Sequence, residues 1–327
     1  MFQQLRIMLA GLRARFGWNW IGFALSATIV GISLYVLRSI LNDIDLSSVA
    51  ASIRALPRAN LLAAGFFIAC AYATLTAYDL FALRTIGANQ IPYRIAALAS
   101  FTSYAIGHNI GATAFSGGAI RYRIYSQFGL GVIDVAKICF LTGLTFWLGN
   151  FAMLGTGMTI RPQAPARILL LPPDAVRALG IAALVALVAY AVWVFRRPRT
   201  VGFKKLRIAV PGFLSTLLQI GIGVADLSFS SLAMYNLVPA DTDGLLSVAT
   251  AFVSATLLGF ASHAPGSLGV FEAAMLVALP QVRKEELVAG LLIFRTLYFL
   301  VPFAMALLTM ACWEALLFYH RRDGNCR

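Results

Sequence analysis

Five stretches of this chain, residues 21–37, 61–78, 138–160, 178–195 and 208–225, contain no Asp, Glu, Lys or Arg. A sixth, 287–313, is interrupted only by Arg295. Each approaches or exceeds the ~20 apolar residues that a helix needs to cross a bilayer. So many long uncharged runs do not fit the buried helices of a soluble core. The composition agrees: 60% of residues are hydrophobic and 12% charged, against about a quarter charged in soluble domains. The first run follows Arg6, Arg13 and Arg15 and is too long for a cleavable signal core, so it reads as a retained anchor. The chain is predicted to be an all-α polytopic membrane protein, with residues 1–327 forming one transmembrane domain and no soluble domain.

The same pattern occurs twice, about 150 residues apart. Asp79 lies in an apolar stretch and is followed thirteen residues later by Pro92. A Gly-rich run then ends at Ser116-Gly117-Gly118-Ala119-Ile120-Arg121. Asp226 and Pro239 repeat the spacing, and their run ends at Pro265-Gly266-Ser267-Leu268-Gly269-Val270-Phe271-Glu272. A charge follows the last glycine by three residues in both, Arg121 in one and Glu272 in the other. Internal duplication in an apolar chain marks transporter folds, whose sites lie where the copies meet.

Charge sets the topology. Arg196, Arg197, Arg199, Lys204, Lys205 and Arg207 form the strongest basic cluster, and such loops stay cytoplasmic. The ends of the chain, with Arg6, Arg13 and Arg15 at one and Arg321, Arg322 and Arg327 at the other, are expected there too. If the Gly-rich stretch 95–120 crossed once, the basic cluster would emerge outside. The conflict disappears if that stretch, and 245–279 likewise, enters and returns on one side as a re-entrant hairpin. Asp241, Asp243, Glu285 and Glu286 then lie on the outer face. Six spanning helices and two Gly-rich hairpins result, as an inverted repeat with halves at about 18–160 and 175–318. Asp79 falls near the inner end of its helix and Asp226 near the outer end of its own. Non-helical backbone at membrane depth must line a cavity or be covered by protein, so the hairpin tips are expected to line a cavity. An eight-crossing arrangement is the alternative, at the cost of an external basic loop.

Four features carry the candidate chemistry. If a half-helix starts at Ser116, Gly117 and Gly118, its free N–H groups and dipole join Arg121 and Arg123 in an anion site suited to a lipid headgroup phosphate. Against this stands the simpler reading that both arginines snorkel at the interface. A free Arg121 would tolerate Gln without loss of folding. Arg295, eight residues into the last apolar run, needs a carboxylate, and Glu272 beside the hairpin elements Pro265, Gly266 and Gly269 is the expected partner. That pair either takes part in transport or only fixes the hairpin. Asp79 and Asp226 complete an intramembrane charge network, binding protons or a cationic headgroup, or capping a neighbouring hairpin. His108 and His263 read as packing residues rather than a metal site.

Other chemistry finds no support. The four cysteines have neither metal nor disulfide spacing, and no Walker loop is present. Pro265-Gly266-Ser267-Leu268-Gly269 lacks both the first glycine and the strand–turn–helix context of a nucleophile elbow. No cofactor is expected. A net charge of +13 reflects basic loops at the cytoplasmic membrane surface rather than nucleic-acid binding.

The second Gly-rich motif, with Arg295 and Pro302 downstream, resembles the signature of the lysylphosphatidylglycerol synthase transmembrane family. The segment from Gly117 through Arg121, Tyr122 and Arg123 to Gly129 and Leu130 is similar to the flippase half of multiple peptide resistance factors. Ser267 and Phe271 stand where Gly and Arg are more usual. The resemblance implies a bacterial inner-membrane lipid translocase, acting on phosphatidylglycerol or its aminoacyl derivatives, with both termini cytoplasmic. The bifunctional members carry a soluble aminoacyl-transfer domain, and the chain stops at Arg327, so a transporter rather than an enzyme is expected. Two alternatives stand: a non-transporting module that docks or regulates a separate lipid synthase, and transport of a hopanoid or polyprenyl-linked lipid. A homodimer is compatible with either.

Overall fold

The structure, a computed structural model, describes residues 46–110, 113–196, 199–201, 208–238 and 244–324, together with Tyr35 and Arg38. Most of the first apolar run, most of the basic cluster, Asp241, Asp243 and both chain ends lie outside the described residues.

The described chain is helical apart from one two-stranded ribbon. Helices α1 (Leu46–Ala55) and α2 (Arg58–Thr85) are followed by α3 (Tyr93–Ile110) and α4 (Thr113–Tyr125). Next come α5 (Val132–Ile160), the short α6 (Gln163–Leu169) and α7 (Pro173–Arg196). Strands β1 (Arg199–Val201) and β2 (Ile208–Val210) pair antiparallel, with Thr200 opposite Ala209. The second half holds α8 (Phe213–Leu237), α9 (Leu245–Ser262), α10 (Val270–Ala278) and α11 (Lys284–Arg295). A π-helical turn, Thr296–Leu300, joins α11 to α12 (Val301–Gly324). Among the described residues, six helices are long and apolar enough to cross a membrane: α2, α5, α7, α8, α9 and the continuous span Lys284–Ala315. The protein is an all-α polytopic membrane protein.

Four of the apolar runs fall in α2, α5, α7 and α11–α12. The run 208–225 does not match its helix: 208–210 form β2 and α8 extends to Leu237. Pro211 and Gly212 break the chain after β2, whereas Asp226 does not end the helix because its side chain is buried inside the bundle. Asp226 therefore sits near the middle of α8 rather than near its outer end. Arg295 likewise lies deeper than expected, at the twelfth residue of α11, roughly 16 Å along the axis.

The two Gly-rich stretches are helical hairpins. In the first, α4 folds back on α3; in the second, α10 folds back on α9. Their second arms have 13 and 9 residues, about 20 and 14 Å at 1.5 Å per residue, too short for a ~30 Å hydrocarbon core. By length and composition α9 could cross alone, but its partner arm cannot. The chain thus runs helix, hairpin, helix in each half: α2, α3–α4, α5, then α8, α9–α10, α11–α12.

Where the halves pack, side chains shrink to let backbones approach. Helices α5 and α8 cross at Gly149 and Gly223, where a Cβ on Gly149 would lie 2.5 Å from the Gly223 carbonyl carbon. Gly155 and Gly180 play the same part between α5 and α7, and Gly157 admits Thr250 of α9. Lipid tails give no hydrophobic drive for helix association, so such close van der Waals contact is what holds these crossings. Helix α7 keeps much of its surface, including Val185, Val188 and Phe195, on the outside of the bundle, as a lipid-facing helix does.

Candidate functional site

Two ion pairs anchor the hairpins, one in each half, the first buried and the second partly buried. In the first, Asp79 of α2 is wholly buried and Arg121 of α4 is 3% exposed. Arg121 donates from Nε to Oδ2 at 2.8 Å and from Nη2 to Oδ1 at 2.7 Å, the bidentate fork that matches a carboxylate. Tyr125, one turn on, donates its hydroxyl to Oδ2 at 2.8 Å. The guanidinium also lies 4.8 Å from the centre of the Tyr104 ring. Gly117 makes the room: a Cβ there would stand 3.3 Å from Arg121 Nη1 and 3.4 Å from the Ser103 carbonyl oxygen.

This arrangement corrects the expected anion site in three ways. Helix α4 begins at Thr113, so Ser116, Gly117 and Gly118 lie within it rather than at its start. The α4 backbone can run through the two glycines because α3 packs alongside. Arg121 faces Asp79 instead of standing open, and Gln in its place would orphan a buried carboxylate. Arg123, two residues on, points to the opposite side of the helix. There it pairs with Glu314 of α12 at 2.5 Å, the two side chains 45% and 40% exposed. It is a rim contact between the first hairpin and the last helix.

In the second half, Arg295 forms an ion pair with Glu272 of α10. It also donates to the carbonyl oxygens of Gly266 at 2.8 Å and Ser267 at 3.2 Å. Glu272 accepts from the Gly269 N–H at 2.8 Å, capping α10 at its third helical residue. Arg295 therefore ties the tip, the carboxylate and α11 together. The tip turns tightly: Gly266 and Gly269 have φ of 58° and 80°, and His263 and Ser267 also adopt positive φ, at 54° and 53°. Pro265 opens the turn Pro265–Ser267. A Cβ on Gly259 would meet the Ser267 side chain at 2.6 Å, so the glycine on the first arm admits the strained serine on the tip.

The π-helical turn after Arg295 has no counterpart among the sequence expectations. Such a turn frees carbonyl groups from the regular ladder, and two of them are satisfied from the other half. Tyr72 of α2 donates to the Tyr298 carbonyl at 2.9 Å and Asn109 of α3 to that of Phe299 at 3.2 Å. Rings run between the two ion pairs. Tyr78 meets Tyr104 at 6.1 Å and Tyr104 meets His108 at 5.6 Å. His108 stacks on Tyr298 at 6.3 Å. The hairpin tips meet here: a Cβ on Gly266 would lie 3.7 Å from the Asn109 carbonyl oxygen and 3.8 Å from that of His108. In this conformation the tips close on each other, in place of the expected cavity lining. A crevice of about 340 Å³ opens elsewhere, between α1, α2, α8 and α11 beside Asn60, Leu237 and Glu286.

Asp226 joins neither ion pair. Its Oδ2 accepts from the Tyr78 hydroxyl at 3.1 Å. Tyr78 precedes Asp79, so α2 carries the aspartate of one repeat beside the residue that holds the aspartate of the other.

No known family profile matches the chain. It is similar, at 27% identity over 305 residues covering 92% of this chain and 93% of the relative, to the uncharacterized protein slr0712 of Synechocystis. It is also 27% identical over 302 residues to the inner membrane protein YbhN of Escherichia coli, covering 91% of each chain.

Proposed function

We propose that this protein is a lipid translocase of the bacterial inner membrane, with its two halves inverted in the bilayer. The observation that carries the reading is the meeting of two short helical hairpins, each tethered by an Arg–carboxylate pair. Short hairpins meeting tip to tip are the parts by which repeat transporters alternate access around a site at the bilayer midplane. The inner-membrane location rests on the similarity to a bacterial inner membrane protein. The phospholipid substrate rests on the motifs shared with the flippase half of multiple peptide resistance factors.

In this reading Arg121 exchanges partners. In the closed state Asp79 occupies its fork. A headgroup phosphate offers two oxygens to the same planar fork and can take that place when the hairpin moves. The exchange keeps the Arg121 guanidinium paired, since a bare charge in a dry interior would cost several kcal/mol, while Asp79 keeps the Tyr125 hydroxyl. Arg123, at the rim beside Glu314, meets the headgroup earlier on its route.

Purified full-length protein reconstituted with fluorescent phosphatidylglycerol, aminoacyl-phosphatidylglycerol and phosphatidylethanolamine tests this. Protein-dependent exchange between leaflets is expected for one of the two glycerol-headgroup lipids and weaker for phosphatidylethanolamine. Absence of exchange for all three would contradict transport of a phospholipid.

A further inference from the structure

The proposed function leaves one buried charge without a role. Among the described residues, five charged side chains lie within the bundle; of these, Asp79 pairs with Arg121 and Glu272 with Arg295. Asp226 is 5% exposed, and among the described residues its Oδ1 has no hydrogen-bond partner and no surface open to solvent. Its Oδ2 holds one bond, from Tyr78. Repeat symmetry explains the vacancy. In the first half the charge after the glycines is Arg121, which reaches back to Asp79. In the second half the equivalent position is Glu272, which cannot pair with Asp226 and turns to Arg295.

Among the described residues, the titratable groups that act on Asp226 are phenols: Tyr72 and Tyr78 from α2, Tyr104 from α3 and Tyr298 from the π-helical turn. Among the described residues, no titratable side chain of α5, α7 or α9 acts on it, and Arg295 of α11 is engaged with Glu272 and the hairpin carbonyls. A bare carboxylate in such a place is expensive. Among the described residues there is no group of three or more His, Cys, Asp and Glu side chains that could hold a metal ion. A proton needs only the one carboxyl.

We infer that Asp226 is a proton-binding site at the junction of the two halves. Its carboxyl carries a proton in this closed conformation and loses it to water only when α2 and α8 part. Proton binding at Asp226 would then favour the closed state and proton release the open one, whichever lipid is moved. Opening of the hairpin junction and proton release are therefore two faces of one equilibrium.

Infrared spectroscopy of the purified full chain at neutral pH reads this proton whether or not any lipid is exchanged. The expected result is a protonated-carboxyl C=O band that shifts in D₂O, is lost in Asp226→Asn and persists in Glu286→Gln. Tyr78→Phe, which removes the one hydrogen bond to the carboxyl, should move the band without abolishing it. Asn copies the shape of the neutral acid, so Asp226→Asn should unfold within a few degrees of the wild type at any sodium concentration. Absence of the band in the wild type overturns the inference. So does a band unchanged in both Asp226→Asn and Tyr78→Phe. A wild-type unfolding temperature that rises with sodium and is sodium-independent in Asp226→Asn would instead identify a metal-cation site, and also overturns it.

Discussion

At the scale of residues, the two ion pairs differ in what surrounds them, and that difference is testable. Asp79 and Arg121 satisfy mainly each other, with Tyr125 adding a third bond. Truncating one partner leaves the other charged in a dry place, a loss of roughly 3–5 kcal/mol, whereas removing both is far milder. Asp79→Asn and Arg121→Gln should each lower the unfolding free energy in detergent by about that amount, and the double variant by clearly less than their sum. Strictly additive losses would refute the pairing. Glu272→Gln with Arg295→Gln should recover less of the loss, because Arg295 also holds the carbonyls of Gly266 and Ser267. Full recovery in that double variant would show that the carbonyl contacts contribute nothing. The second pair was legible in the sequence, since a lone arginine inside an apolar run must find a carboxylate and one lay near the hairpin. The first was not. Asp79 and Arg121 are 42 residues apart, and a Gly-rich stretch ahead of an arginine reads equally well as an open helix end.

At the scale of elements, the hairpins exist because glycines let helices approach and turn, and these positions divide sharply by what a methyl group would meet. On α5, a Cβ at Gly149 would collide with the Gly223 backbone at 2.5 Å, whereas at Gly143 it would meet nothing within 4 Å. Gly149→Ala should therefore cost about 1–3 kcal/mol or more as α5 and α8 are forced apart. Gly143→Ala should be neutral or stabilising by up to about 1 kcal/mol through helix propensity. Thermal unfolding of the two variants in the same detergent checks this, and equal effects would contradict the assigned crossing. Apolar runs located α2, α5, α7 and α11–α12 because length without charge is a sufficient signal for a spanning helix. They misplaced α8, since a buried Asp226 looks from sequence like the end of a run. The π-helical turn left no trace at all. It depends on Tyr72 and Asn109 reaching its carbonyls from the other half, a tertiary condition that no local pattern records.

At the scale of the whole molecule, the duplicated pattern and the basic cluster together specify an architecture that neither specifies alone. The arms of 13 and 9 residues are too short to cross, and the proposed orientation keeps the basic loop inside. A cysteine introduced at Thr200, in the ribbon beside that loop, should be unreactive to a membrane-impermeant thiol reagent in intact cells and react once the membrane is opened. Labelling from outside would reverse the orientation. The central claim is that lipid crosses when the two hairpin tips separate. Gly266 faces the carbonyls of His108 and Asn109, so cysteines at positions 109 and 266, in a chain whose native cysteines are replaced, should form a bond that locks the tips. The most direct measurement is leaflet exchange of fluorescent phosphatidylglycerol and its aminoacyl derivative in vesicles containing this variant, first oxidised and then reduced. Exchange that stops on oxidation and returns on reduction is the expected result. Exchange that continues at the same rate with the tips locked would contradict the claim.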